Sequence, residues 1–182
     1  MIYTPNHIFV PIAYQGIVGS GRVFSGMNPA YTQSEVEHQL EDTQAKAILA
    51  HPSLIRRAVA AASRLGFPKE RIFQFSDYPC ETVDGILDWR SMIGTEEEAK
   101  TWKWDDLAEA STSVVATINY SSGTTSLPKG VCISHYNLIA NVEQTIFIRD
   151  RETGYALVPG SRPEERWVGF LPLYHAYGKK KL

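Results

Sequence analysis

Residues 121–130 read SSGTTSLPKG, which places five hydroxyl side chains, a flexible glycine, a rigid proline and one lysine in a single short span. A polyphosphate presents several negative oxygens, and each needs a hydrogen-bond donor and some nearby positive charge. Gly123 permits backbone angles that turn successive amides toward one anion, forming a nest. Ser121, Ser122, Thr124, Thr125 and Ser126 add hydroxyl donors, and Lys129 adds a point charge that does not demand fixed geometry. Pro128 fixes the backbone just before that lysine. A plain polar hairpin loop has similar composition, so the letters alone leave both readings open. A Walker-type loop does not fit. It requires Gly-x4-Gly-Lys-Ser/Thr running into a helix, whereas here Pro128 follows Gly123 at the fifth position and Lys129 leads into Gly130 and a strand.

A second candidate group is FLPLYHAYG (170–178), where His175 and Tyr177 follow a strand-like apolar run. By itself His175 reads as a satisfied histidine at a strand end. His135 follows a helix cap and is read as structural. His7, His38 and His51 have no partners at ligand spacing and carry no assignment.

The elements that must position these groups alternate between strand and helix. Pro5 and Asn6 can start a helix whose Phe9, Ile12, Ala13, Gly16 and Ile17 recur at helical spacing. A strand is predicted over 22–26 and a turn at Asn28-Pro29. Thr32 and Glu35 fit a capping box ahead of a helix that buries Val36 and Leu40. A strand over 45–50, a Ser53-led helix with Leu54, Ile55, Ala58, Val59 and Ala62 inward, and a strand over 71–75 make a strand–helix–strand unit of the parallel-sheet kind. Residues 77–113 read as an irregular connection with one short helix, and Glu96–Glu98 as a solvated face. The run 111–120 is strongly strand-like and 131–133 forms a second short strand. Ser134 caps a helix striped by Leu138, Ile139, Val142 and Ile146. A charged loop over 149–166 and a last strand over 165–175 complete an α/β reading.

Composition fits a globular chain. Of 182 residues, 43% are hydrophobic and 21% charged, with a formal net charge of −2. That balance gives no general grip on nucleic acid or anionic membrane. No apolar run reaches the roughly 18 residues that span a bilayer. The N-terminus is apolar but carries no basic leader, and reads as folded core rather than a secretion signal. Cys80 and Cys132 lack metal-ligand spacing and read as reduced, mostly buried thiols of a cytoplasmic protein. The final Lys180-Lys181-Leu182 weakly resembles the peroxisomal Ser-Lys-Leu address.

The phosphate-type run resembles the signature of the adenylate-forming (AMP-binding) superfamily, which includes acyl-CoA synthetases, 4-coumarate–CoA ligases and firefly luciferase. That signature is Ser-Ser/Gly-Gly-Thr-Thr-Gly-x-Pro-Lys-Gly, and Ser121 to Gly130 match it at every position except Ser126, where the family often has glycine. SHYNLIANVEQ (134–144) and FLPLYHAYG (170–178) resemble its next two motifs in order, and NPAYT (28–32) resembles a coumarate-ligase-like segment upstream. The resemblance implies a part of that family's large N-terminal domain, with strand–helix–strand units and mixed sheets, over residues 1–182. It implies a reaction in which ATP and a carboxylic acid, aryl or fatty, give an acyl-adenylate while Mg2+ screens the phosphates. Coenzyme A then displaces AMP to give a thioester. Ser121, Ser122, Gly123, Thr124, Thr125 and Lys129 would bind the nucleotide's phosphates. His175 would lie near the adenylate as the catalytic candidate, and His175 with Tyr177 would line the acyl pocket.

The family's glutamate motif for adenine and Mg2+, its ribose-binding aspartate and its small C-terminal domain have no counterpart within residues 1–182. The chain is therefore expected to be an incomplete ligase by itself. A non-catalytic nucleotide-binding or interaction module derived from such an enzyme is the alternative.

Overall fold

The computed structural model describes residues 1–104, 111–121, 127–153 and 171–175. Among the described residues, six strands form one sheet: β1 (Ile2–Tyr3), β2 (Phe24–Met27), β3 (Ile48–Ala50), β4 (Ile72–Gln74), β5 (Val115–Ser121) and β6 (Lys129–Ser134). Their spatial order is β4-β3-β1-β2-β5-β6, and every pairing is parallel except the antiparallel β5–β6 hairpin. The helices are α1 (Val10–Gly19), α2 (Gln33–Thr43), α3 (Ile55–Arg64), the short α4 (Glu96–Thr101) and α5 (His135–Thr153).

Alternation along the short strands separates two apolar layers, as a sheet covered on both faces requires. Tyr3, Met27, Ile48, Ala50 and Ile72 face α2 and α3, where Val36, Leu40, Ile55, Ala58 and Ala62 are buried. Ile2, Phe24 and Leu49 face the other way with Phe75, against Val10, Ala13 and Ile17 of the α1 side. The predicted strand–helix–strand unit is β3–α3–β4, with Ile48 opposite Ile72. The capping box also forms as expected: Glu35 N donates to Thr32 Oγ1 at 3.4 Å, and Thr32 N to Glu35 Oε2 at 2.8 Å.

Several expectations are corrected. β1 was not anticipated, because two residues carry no readable period; the central strand nonetheless pairs with both β2 and β3. The first helix begins at Val10 rather than at Pro5, since the chain must first turn off the end of β1. Ile12 points outward and is 61% exposed. Ser53 lies in a 3-10 turn (Pro52–Leu54) ahead of α3, and His51 Nδ1, not Ser53, accepts from the capped amide. α5 runs through Thr153, so residues 149–153 are helical rather than loop. Charge does not break a helix, since Arg and Glu are good helix formers.

The short helix expected within 77–113 is α4, and Glu96, Glu97 and Glu98 are exposed as read. Both cysteines are free, but both are exposed rather than buried. Among the described residues, no helix is long and apolar enough to cross a membrane.

Candidate active site

The phosphate-type run bridges β5 and β6. The hairpin register runs from Val115 opposite Ser134 to Ser121 opposite Lys129. Ser121 is therefore the last residue of one strand and Lys129 the first of the next, directly across from each other and both exposed. β6 begins two residues earlier than its apolar letters suggest, because Lys129 and Gly130 join the ladder. Ser122, Gly123, Thr124, Thr125 and Ser126 lie outside the described residues, as does Tyr177.

β1, β2 and β5 run parallel, so β5 delivers Ser121 to the carboxyl edge of the parallel sheet. In open α/β sheets, ligands bind beyond that edge.

The segment holding His175 comes to the same edge. Residues 171–175 form a bend and turn instead of the expected strand, with His175 N donating to Pro172 O at 3.1 Å. Pro172 has no N–H to give a ladder, which disfavours a paired strand here. The turn is held from β1 and β2. Asn6, just past β1, donates from Nδ2 to Leu171 O at 3.0 Å and accepts from Leu173 N at 2.9 Å. Gly26 in β2 lies so close beneath Tyr174 that a Cβ there would sit 2.9 Å from the Tyr174 Cα. Burial is the main cause that raises the Tyr31 pKa, with Glu35 and Tyr174 adding to it.

The far end of the same edge carries a cluster that sequence reasoning left unassigned. The His7 side chain is 2% exposed, and its Nε2 lies 2.7 Å from Asp77 Oδ1. Nδ1 accepts from Phe9 N at 3.2 Å, which leaves the proton on Nε2 in the neutral ring. The Nε2–Asp77 contact is close in distance without hydrogen-bond alignment. The ring stacks on Phe75 with centroids 4.4 Å apart. Burial lowers the His7 pKa and outweighs the opposing pull of Asp77; His51 is lowered chiefly by burial as well. Among the described residues, no three His, Cys, Asp or Glu side chains group as a metal site.

Sequence reasoning singled out Ser121, Lys129 and His175, whose segments the structure brings to one edge of the sheet, and passed over Asn6 and Gly26, which seat the turn that ends at His175. Asn6 and Gly26 act through backbone contacts that leave no chemical signature.

The chain is similar to several known proteins. The family model described as AMP-binding enzyme matches residues 1–180. A phenylacetyl-CoA ligase of Aspergillus niger is 36% identical over 141 residues, which is 76% of this chain and 26% of that protein. An acyl-CoA synthetase of Alternaria alternata is 32% identical, covering 93% of this chain and 28% of that protein. Among solved structures, ATP-bound MatB of Rhodopseudomonas palustris matches 98% of this chain and 31% of its own, with TM-score 0.69 and 24% identity. A red-emitting luciferase of Phrixothrix hirtus gives TM-score 0.75 at 20% identity, over 98% of this chain and 32% of its own. The chain spans about a quarter to a third of the length of these proteins.

Proposed function

The chain belongs to the AMP-binding enzyme family, and from that premise we propose that it carries the triphosphate-gripping part of an acyl-CoA ligase. The reaction would activate a carboxylic acid as its adenylate and pass it to coenzyme A. The observation that supports this most is the pairing of Ser121 with Lys129 across the open end of a hairpin, at the carboxyl edge of the parallel sheet.

A lysine and a hydroxyl on opposed strands suit an anion. Lys129 would neutralise phosphate oxygens and Ser121 would donate to them, with Ser122, Gly123, Thr124 and Thr125 closing the cradle between. ATP supplies the reaction with an activated phosphorus and a pyrophosphate leaving group. The loop would orient that phosphorus and stabilise the charge that develops on departure. Mg2+ would arrive on the phosphates and keep much of its own water rather than occupy an all-protein cage.

His175 would stand on the acyl side of the same edge, with Tyr177 beyond it lining the carboxylate pocket. An aryl or fatty acid is the substrate class, and the phenylacetyl-CoA ligase relative adds weight to the aryl choice. The setting proposed is cytoplasmic, with the peroxisome as the alternative.

Calorimetric titration of ATP and of tripolyphosphate into the natural protein and its Lys129→Ala variant tests the reading. Removing one charge-assisted contact should weaken both ligands by roughly tenfold or more. Equal affinities in the two proteins would overturn the assignment of Lys129.

A further inference from the structure

α2 bonds to the hairpin at two points and to β2 between them, and none of its residues was singled out in the sequence as part of a site. His38 Nε2 lies 3.0 Å from the Pro128 carbonyl. A carbonyl only accepts, so the imidazole donates there. Four residues on, the Asp42 carboxylate accepts the Tyr120 hydroxyl proton. Between them, fully buried Gln39 donates from Nε2 to Ser25 Oγ at 2.9 Å and to Gly26 O at 3.1 Å. Ser25 Oγ passes the chain on to Ile118 O at 3.0 Å.

Pro128 immediately precedes Lys129, and Tyr120 immediately precedes Ser121. The two outer contacts therefore grip the two stems at the residues next to the candidate phosphate ligands. We propose that His38 and Asp42 are positioning residues, which hold both stems of the phosphate-loop hairpin in register so that Ser121 and Lys129 face one ligand. The consequence for phosphate binding rests on the function proposed above; the brace itself does not.

Further facts fit a brace better than incidental packing. His38 and Asp42 are spaced i, i+4 and so share one face of α2. Burial of Val36 and Leu40 fixes the rotation of that helix and aims this face at the hairpin. Gly130 leaves the space that Asp42 uses: a Cβ there would lie 3.2 Å from Asp42 Oδ2, 3.3 Å from Tyr120 Cζ and 3.1 Å from Ile118 Cγ2. Burial, reinforced by the hydrogen bond to Asp42, pushes the Tyr120 pKa upward, so the phenol keeps its proton and continues to donate. A two-stranded ribbon is marginally stable alone, and β6 lies at the sheet's edge with most of its residues exposed. A stem already held by α2 needs less ordering when ligand binds.

The test compares His38→Ala, His38→Gln, Asp42→Ala and Thr32→Ala in the natural protein. Amide hydrogen exchange is measured without ligand, and tripolyphosphate affinity by calorimetry. Losing one such hydrogen bond should speed exchange at Tyr120, Ser121, Lys129 and Gly130 about fivefold in H38A and D42A, and lower affinity by a similar factor. H38Q, whose amide can donate to the same carbonyl, should restore both. T32A removes the α2 cap without touching the hairpin, so it should lower the melting temperature while leaving exchange at the four stem amides close to wild type.

Unchanged stem exchange in H38A and D42A would overturn the brace. Faster exchange with unchanged affinity would overturn its positioning role. Failure of the wild-type protein to bind tripolyphosphate would defeat the proposed function of the loop and with it the positioning role, while the exchange data would still decide whether the brace exists.

Discussion

The β1–β4 half of the sheet and the β5–β6–α5 half are built from similar apolar residues but treat them differently. In the first, helices cover both faces, and Tyr3, Phe24, Phe75 and Ile55 are almost wholly buried. In the second, Ile139, Val142, Phe147 and Ile148 of α5 are each at least half exposed. A groove of about 710 Å³ opens between α5, β6 and α1, lined by Tyr14, Val18, Val131, Ile133, Leu138 and Val142 among others. An apolar stripe guarantees an amphipathic helix, but something must pack on it before it adds stability. The covered half therefore carries the folding free energy, and the hairpin half carries the candidate ligand contacts.

The sharpest break of this comparison is a pair of truncations read by urea unfolding. Phe75→Ala should cost about 3–5 kcal/mol, as expected for a large buried aromatic. Ile139→Ala should stay within about 0.5 kcal/mol of wild type, since the site is exposed and alanine favours helix. Similar losses at both positions would mean that the α5 face is covered in solution.

A smaller effect is expected where the two halves meet. Gly26→Ala puts a methyl group 2.9 Å from the Tyr174 Cα, and backbone cannot swing aside as a side chain can. The cost should be about 1–3 kcal/mol, with a displaced His175 ring resonance by NMR. Gly16→Ala in α1 meets nothing within 4 Å, so it should stabilise by roughly 0.5–1 kcal/mol. If both substitutions behave alike, the turn at 171–175 does not rest on β2.

The smallest effect is that of pH. The His7 pKa is held below its ordinary value near 6.5, mainly by burial, with Asp77 pulling it up and His51 and Arg90 pushing it down. On acidification the unfolded chain takes up this proton first, so stability should fall as pH drops through and below about 6.5. The contribution should be fully present above that value. Melting temperatures between pH 5 and 8 check the direction, and His7→Gln should flatten the slope. A slope that survives the substitution would assign it to other groups.

How much was legible follows from range. The α2 capping box, the β3–α3–β4 unit and the Ser134 cap, where Asn137 N donates to Ser134 Oγ at 3.2 Å, are local and were readable from spacing. Charged letters at 149–153 read as loop, yet Arg149, Asp150 and Arg151 sit on a helix. The apolar letters of 165–175 read as a strand, while Pro172 and the Asn6 bracket make a turn of 171–175, the part that lies within the described residues. The candidate site was half legible: Ser121, Lys129 and His175 announce themselves by chemistry, and their supports do not.

The sequence by itself determined the α/β class, the family resemblance, and the run of hydroxyls and lysine that suits a polyphosphate, since these depend on residue type and short spacing. The tertiary structure decided that β1 would sit at the centre of the sheet, that α2 would hold the hairpin through His38 and Asp42, and that Asn6 and Gly26 would seat the turn at 171–175. Those contacts join residues far apart in the chain. Their energy exists only once burial of the shared layers has brought the elements together, so no local pattern records them.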